Sequence, residues 1–207
     1  MMNSRLHSVA QACAGLALAA AAAHAGAQTT VLDSYSPAGT ADGWPSLVYS
    51  DASGRQDVAL PFTISAATSI ASIMSSLDGT GGVTLGIFTR DAAAPSGVSW
   101  LYSAHLNNPT ADSTITPTGW SLAAGTYWLA AVADTGFEGT WQSGTDDHTA
   151  DFAFRDSTGT WQVVNSDFVG LPAARITVSA VPEPASYALL LGGALMLAAL
   201  RKKGGRA

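Results

Sequence analysis

Val83-Thr84-Leu85-Gly86-Ile87-Phe88-Thr89 is the stretch on which the fold turns. In an extended chain Val83, Leu85 and Ile87 project to one face and Thr84, Gly86 and Phe88 to the other, the period of a β-strand. Ile176 and Val178 repeat that spacing near the end of the same region. Working outward, short segments of β-type residues occupy 47–50, 58–65, 98–104, 126–134, 139–142, 151–155, 160–165 and 174–180. Turn signals separate them: Pro95-Ser96-Gly97, Asn107-Asn108-Pro109, Asp134-Thr135-Gly136 and Ser157-Thr158-Gly159. One segment is ambiguous, because Ile70, Ala71, Ile73, Met74 and Leu77 also fit helical spacing. Its neighbours are strands, and a strand is expected there. Between residues 28 and 180 no run of ten or more reads as a helix. The expected fold class is all-β, an antiparallel β-sandwich of jelly-roll-like kind.

The chain has 207 residues, enough for one domain with a real core. Its charges are unevenly placed. Residues 28–180 hold fourteen acids against four arginines (Arg55, Arg90, Arg155 and Arg175) and no lysine, a net charge of 4 − 14 = −10. Such a surface repels phosphate backbones and excludes sequence-independent nucleic-acid binding. The single cysteine, Cys13, lies in an N-terminal apolar run, so an intrachain disulfide or a thiolate metal site has no partner residues.

Candidate chemistry is sparse. Asp146, Asp147 and His148 with Asp151 form the one dense group of ligand-type side chains. Three aspartates could hold calcium, but no terminal Glu at calcium-loop spacing follows, and a solvated hairpin is the expected reading. No cofactor is expected, with calcium the one weak alternative. A serine hydrolase needs a Gly-x-Ser-x-Gly elbow, which is absent around Ser143 and elsewhere, and His105 and His148 are the imidazoles after residue 27. Glu138 with Asp134 or Asp146 could form a glycosidase pair, but sequence spacing does not establish the separation that chemistry requires. Asp78-Gly79-Thr80-Gly81-Gly82 lacks the Lys and helix of a phosphate loop and is expected to be a hairpin turn. All six tryptophans fall between residues 28 and 180. Trp128, Trp100 and Trp161 sit in apolar or alternating strands and are expected in the core. Trp44 and Trp141, in loop-like settings, are expected to be exposed and are the candidate sugar contacts.

The two ends read as addresses. Arg5 and His7, an alanine-rich core from 9 to 23 and Ala25-Gly26-Ala27 make a secretory signal peptide over residues 1–27. Cleavage is expected after Ala27, with Ala25 the competing position, which makes the export translocon and signal peptidase partners. At the other end, Val181-Pro182-Glu183-Pro184 precedes an apolar stretch, 185–200, and then Arg201, Lys202 and Lys203. Sixteen residues make roughly 24 Å of helix, close to a hydrocarbon core, and the basic cluster acts as a stop on the cytoplasmic side. A single C-terminal transmembrane helix is therefore expected. The two prolines hold the preceding segment extended.

Residues 181–207 resemble the PEP-CTERM sorting signal in parts, order and spacing. The resemblance implies that Pro182, Glu183 and Pro184 are the recognition motif for exosortase, a membrane-embedded processing enzyme, and that 201–207 is the basic tail. It implies a Gram-negative bacterium that makes extracellular polysaccharide, an inner-membrane-anchored precursor, and delivery to the cell surface or matrix. Between the addresses, roughly residues 50–145 resemble a choice-of-anchor R type domain through Ala59-Leu60-Pro61-Phe62-Thr63, Pro95-Ser96-Gly97, the stretch Leu122-Ala123-Ala124-Gly125-Thr126-Tyr127-Trp128-Leu129, and Trp141. That resemblance implies anchoring and no particular chemistry. The expected function is a non-catalytic exported protein with a structural or adhesive role in exopolysaccharide or biofilm. A carbohydrate-binding module is the alternative, and a secreted hydrolase the least favoured.

Overall fold

A computed structural model of the chain describes residues 28–91, 94–95, 100–144, 151–165 and 170–180. Gln28–Ser179 forms one compact unit; the second unit, Met1–Ala27 with Ala180–Ala207, lies outside the described residues apart from Ala180. The cleavage residues Ala25 and Ala27, the motif Val181 to Pro184, the apolar stretch 185–200 and the basic Arg201, Lys202 and Lys203 all lie there. No helix among the described residues is long and apolar enough to cross a membrane.

The described residues form strands and turns with no helix. The first strands are β1 (Gln28–Asp33), β2 (Gly43–Asp51), β3 (Gly54–Ile64), β4 (Thr68–Ser75) and β5 (Leu77–Thr80). Then come β6 (Gly82–Asp91), β7 (Ala94–Pro95), β8 (Tyr102–Asn107), β9 (Ser113–Ile115) and β10 (Ser121–Leu122). The last are β11 (Gly125–Ala133), β12 (Phe137–Ser143), β13 (Asp151–Asp156), β14 (Trp161–Asn165) and β15 (Ala174–Ala180). A five-stranded sheet runs β1-β15-β4-β10, with β9 also on β4. A ten-stranded sheet runs β5-β12-β2-β3-β11-β6-β7, with β13 on β3, β14 on β13 and β8 on β6. The pairings are antiparallel, as expected.

The two sheets share one hydrophobic core, an arrangement consistent with a β-sandwich. Ile70, Ile73, Ile176 and Val178 of the smaller sheet enter the same cluster as Leu60, Leu85, Leu129 and Phe137 of the larger. Each such fully buried side chain stabilises by roughly 1.5–3 kcal/mol. β4 is a strand, and its buried residues Thr68, Ile70, Ile73 and Ser75 break alternation once, at Ala71 and Ser72. That break is what makes its spacing look helical.

The larger sheet is covered on its other face as well. Gly86, Ala130, Ala59 and Ala153 are cross-strand neighbours in one row across β6, β11, β3 and β13. These small residues make a trough for a second cluster, in which Phe88, Trp128 and Trp161 are buried and Trp100 packs against them. A Cβ on Gly86 would lie 2.6 Å from the Trp100 ring, so only glycine admits the indole there. Trp128 and Trp161 are thus buried as expected, but in a separate layer from the main core.

Two turns share one chemistry. Asp51 Oδ1 accepts hydrogen bonds from the backbone N–H and hydroxyl of Ser53, and Asp156 Oδ1 does so from Thr158. These bonds, the side-chain one foremost, hold both carboxyls below the usual aspartate range. The Asp78 to Gly82 stretch corrects the sequence expectation of a hairpin turn. Leu77–Thr80 is a strand paired with β12, and Gly79 lies opposite Gly139. A Cβ at either glycine would come within 2.7 Å of the buried Phe137 ring, so the glycines are there for close packing. The sequence also offered no sign of β1, β9 or β10, which are short or polar strands at or near sheet edges.

The β3 strand pairs with β2 through residues 54–56 and with β11 from Val58 onward, while β13 lies along residues 56–59. Asp57 stands at the changeover, fully buried. Its Oδ1 accepts the Ala133 N–H at 2.8 Å, and its Oδ2 takes Arg55 Nε at 2.7 Å and Arg155 Nε at 2.8 Å.

A third polar junction ties the first and last strands. Arg175 Nε lies 2.8 Å from Asp33 Oδ2, and its guanidinium sits over the Tyr35 ring. Tyr35 is 3% exposed and donates to Asp112 Oδ1 at 2.7 Å. Burial, and then the Asp112 carboxylate, hold this phenol far above the ordinary tyrosine range. The folded state therefore keeps the proton after the unfolded chain has lost it. Stability from Tyr35 is complete below about pH 10, the unfolded value, and falls as pH rises above it. Tyr35→Phe should lower stability at pH 7 yet flatten the decline between about pH 10 and 11.5. Urea denaturation of both proteins across that range checks it; parallel alkaline limbs would refute the assignment.

Candidate functional site

Asp146, Asp147 and His148 lie outside the described residues, and Asp151 opens β13, paired with Asn165. No group of three His, Cys, Asp or Glu placed to hold a metal occurs among the described residues. Asp134 Oδ2 lies 2.7 Å from His105 Nε2, both half-exposed. Glu138 sits exposed on β12. Ser143 is buried and donates its hydroxyl proton to the Gly170 carbonyl at 2.6 Å, so that proton is held by an acceptor that is no base.

The two candidate sugar contacts separate sharply. Trp44 is 76% exposed. Trp141 is 0% exposed, with its Nε1–H donating to the Ala173 carbonyl at 2.9 Å, which corrects the expectation of an exposed ring. The reason is periodic: Phe137, Trp141 and Ser143 all face inward from β12. Gly139, which occupies the same face between Phe137 and Trp141, interrupts the apolar alternation in the sequence.

Trp44 owes its exposure to a bulge. Ser46 pairs with Trp141 and Gly43 with Ser143, so β2 takes three steps where β12 takes two. The extra residue breaks alternation, and the consecutive Trp44 and Pro45 are both exposed, as is Leu47, while Ser46 and Val48 are buried. Pro45 lacks an N–H and suits an unpaired position in the ladder. Sequence reasoning marked Trp44 from a loop-like setting, whereas it lies within β2, and had no signal for the bulge.

An open groove of about 370 Å³ adjoins this segment. Pro45 and Leu47 of β2 line it with Gln56 of β3, Phe152 and Phe154 of β13 and Val164 of β14. Gln56 Nε2 donates to the Leu47 carbonyl at 2.8 Å and holds the carboxamide in place. Among the described residues no charged side chain lines the groove. Elsewhere on the domain Arg55 and Arg155 are committed to Asp57 and Arg175 to Asp33. The arrangement offers apolar walls, a fixed amide and an exposed indole beside them, which suits binding better than bond-making. Compared with protein-family models, with curated proteins and with solved structures, the chain matches none.

Proposed function

We propose that the chain is a non-catalytic exported protein, carried through the inner membrane by residues 1–27 and sorted by exosortase at residues 181–207. Pro182-Glu183-Pro184 directly abutting an apolar stretch and a basic tail carries this reading. The compact unit Gln28–Ser179, which ends just before the motif, supports a division into cargo and address. In this reading 185–200 is a single transmembrane helix, lost on processing, and the cargo is a jelly-roll sandwich with a structural or adhesive role in extracellular polysaccharide. A carbohydrate-binding module on the same scaffold is the second reading, favoured by the exposed Trp44 beside an uncharged groove.

Mass spectrometry of the mature C-terminus from the native cell is the test. The wild type should have lost 185–207, whereas Pro182→Ala with Pro184→Ala should keep them, because alanines let helix propagate into the recognition segment. An intact tail in the wild type, or equal processing of the two, would overturn the sorting assignment.

A further inference from the structure

We propose that the bulged edge at Trp44 and Pro45, with the groove beside it, binds an uncharged polysaccharide chain. This deepens the reading of a matrix protein and rests on it, yet binding is measured apart from sorting, so the two can fail separately.

Three observations converge on this surface. The bulge sets Trp44, Pro45 and Leu47 on the solvent side of a strand whose alternate residues are buried. Bulges that re-aim side chains recur next to binding sites. An indole left 76% exposed presents a flat apolar face on which the C–H face of a pyranose ring can lie. The groove then supplies what the edge of the sugar needs, because Gln56 carries a carboxamide already held by its bond to Leu47. A purely apolar ligand would call for an enclosed pocket; this groove is open to water and suits an amphipathic one.

Charge selects the class of sugar. Among the described residues none that lines the groove is charged, and residues 28–180 carry fourteen acids against four arginines. Three of those arginines already face aspartates. A uronate-rich chain would meet repulsion with no cation among the described lining residues to offset it, and a cationic chain would find no carboxylate among them. A neutral hexose polymer meets neither penalty.

The test uses the full-length chain in detergent, with cellohexaose, laminarihexaose, mannohexaose and isomaltohexaose as neutral probes and alginate and polygalacturonate as anionic ones. Calorimetric titration should show binding of at least one neutral probe, unchanged between low and high salt. Bound ligand should shield tryptophan fluorescence from acrylamide. Trp44→Ala should weaken binding ~10-fold or more, Trp44→Phe less, with the unfolding midpoint of both variants near the wild type. Failure of every neutral probe, tighter binding of an anionic one, or full affinity in Trp44→Ala would overturn the proposal. So would sedimentation showing that Trp44 is covered by a second copy of the chain.

Discussion

Asp57→Ala should cost about 3–5 kcal/mol of folding stability, a large share of the 5–15 kcal/mol typical of a domain. The carboxylate is fully buried and serves three donors from three strands: Arg55 on β3, Arg155 on β13 and the Ala133 N–H at the end of β11. Removing it leaves two guanidinium groups facing each other without a counter-charge and a buried N–H without an acceptor. Asp57→Asn keeps an oxygen for Ala133 but not the charge, so it should cost less than alanine. Salt should change little, because the pair is shielded from solvent on the carboxylate side. Urea denaturation decides it: a loss below about 1 kcal/mol for the alanine variant would mean that the two arginines find other partners at no cost.

The same junction shows where an acidic domain places its few cations. Three of the four arginines between residues 28 and 180 stand against aspartates at strand junctions. Arg155 also lies 5.1 Å from the centre of the Trp161 ring, capping the outer aromatic layer. Arginine suits these places because its rigid fork serves a carboxylate while its face covers an aromatic ring. The outer surface is left acidic, and the described lining of the groove beside Trp44 carries no charge.

What was legible in the sequence is what has a local period. Residues 83–89 announce their two faces, and β6 buries Val83, Leu85 and Ile87 in one cluster and Phe88 in the other. Pairing partners were not legible. Asp57 sits between polar Gln56 and apolar Val58, and beyond Arg55 two residues before it nothing local says that it is buried, since its other two partners lie 76 and 98 residues away. Gly79 looks like a turn residue in one dimension and is a packing residue in three, opposite Gly139 of the expected strand. For the candidate site the sequence marked Trp44, but the groove needs β2, β3, β13 and β14 side by side, and the bulge is defined by β12.

Trp141 and Trp44 looked alike in sequence, and their alanine variants should differ by several kcal/mol. Trp141→Ala empties the largest kind of side chain from the shared core, where the ring is fully buried among residues of both sheets. The lost transfer energy and the cavity together should cost roughly 3–5 kcal/mol. The indole N–H also donates to the Ala173 carbonyl, which joins β12 to the segment entering β15, so the deletion loses that bond as well, although the Ser76 N–H still reaches the same oxygen. Trp141→Phe separates the two effects: it keeps most of the burial and loses the donor, and should cost about 1–3 kcal/mol. Trp44→Ala removes a ring that is already in water and should stay within about 0.5 kcal/mol of wild type. Urea denaturation of the four proteins, compared at constant slope, is the measurement. Equal losses for the two alanine variants would refute the burial of Trp141 and the exposure of Trp44 together, because a bulge one residue further along β2 would exchange which face meets the core.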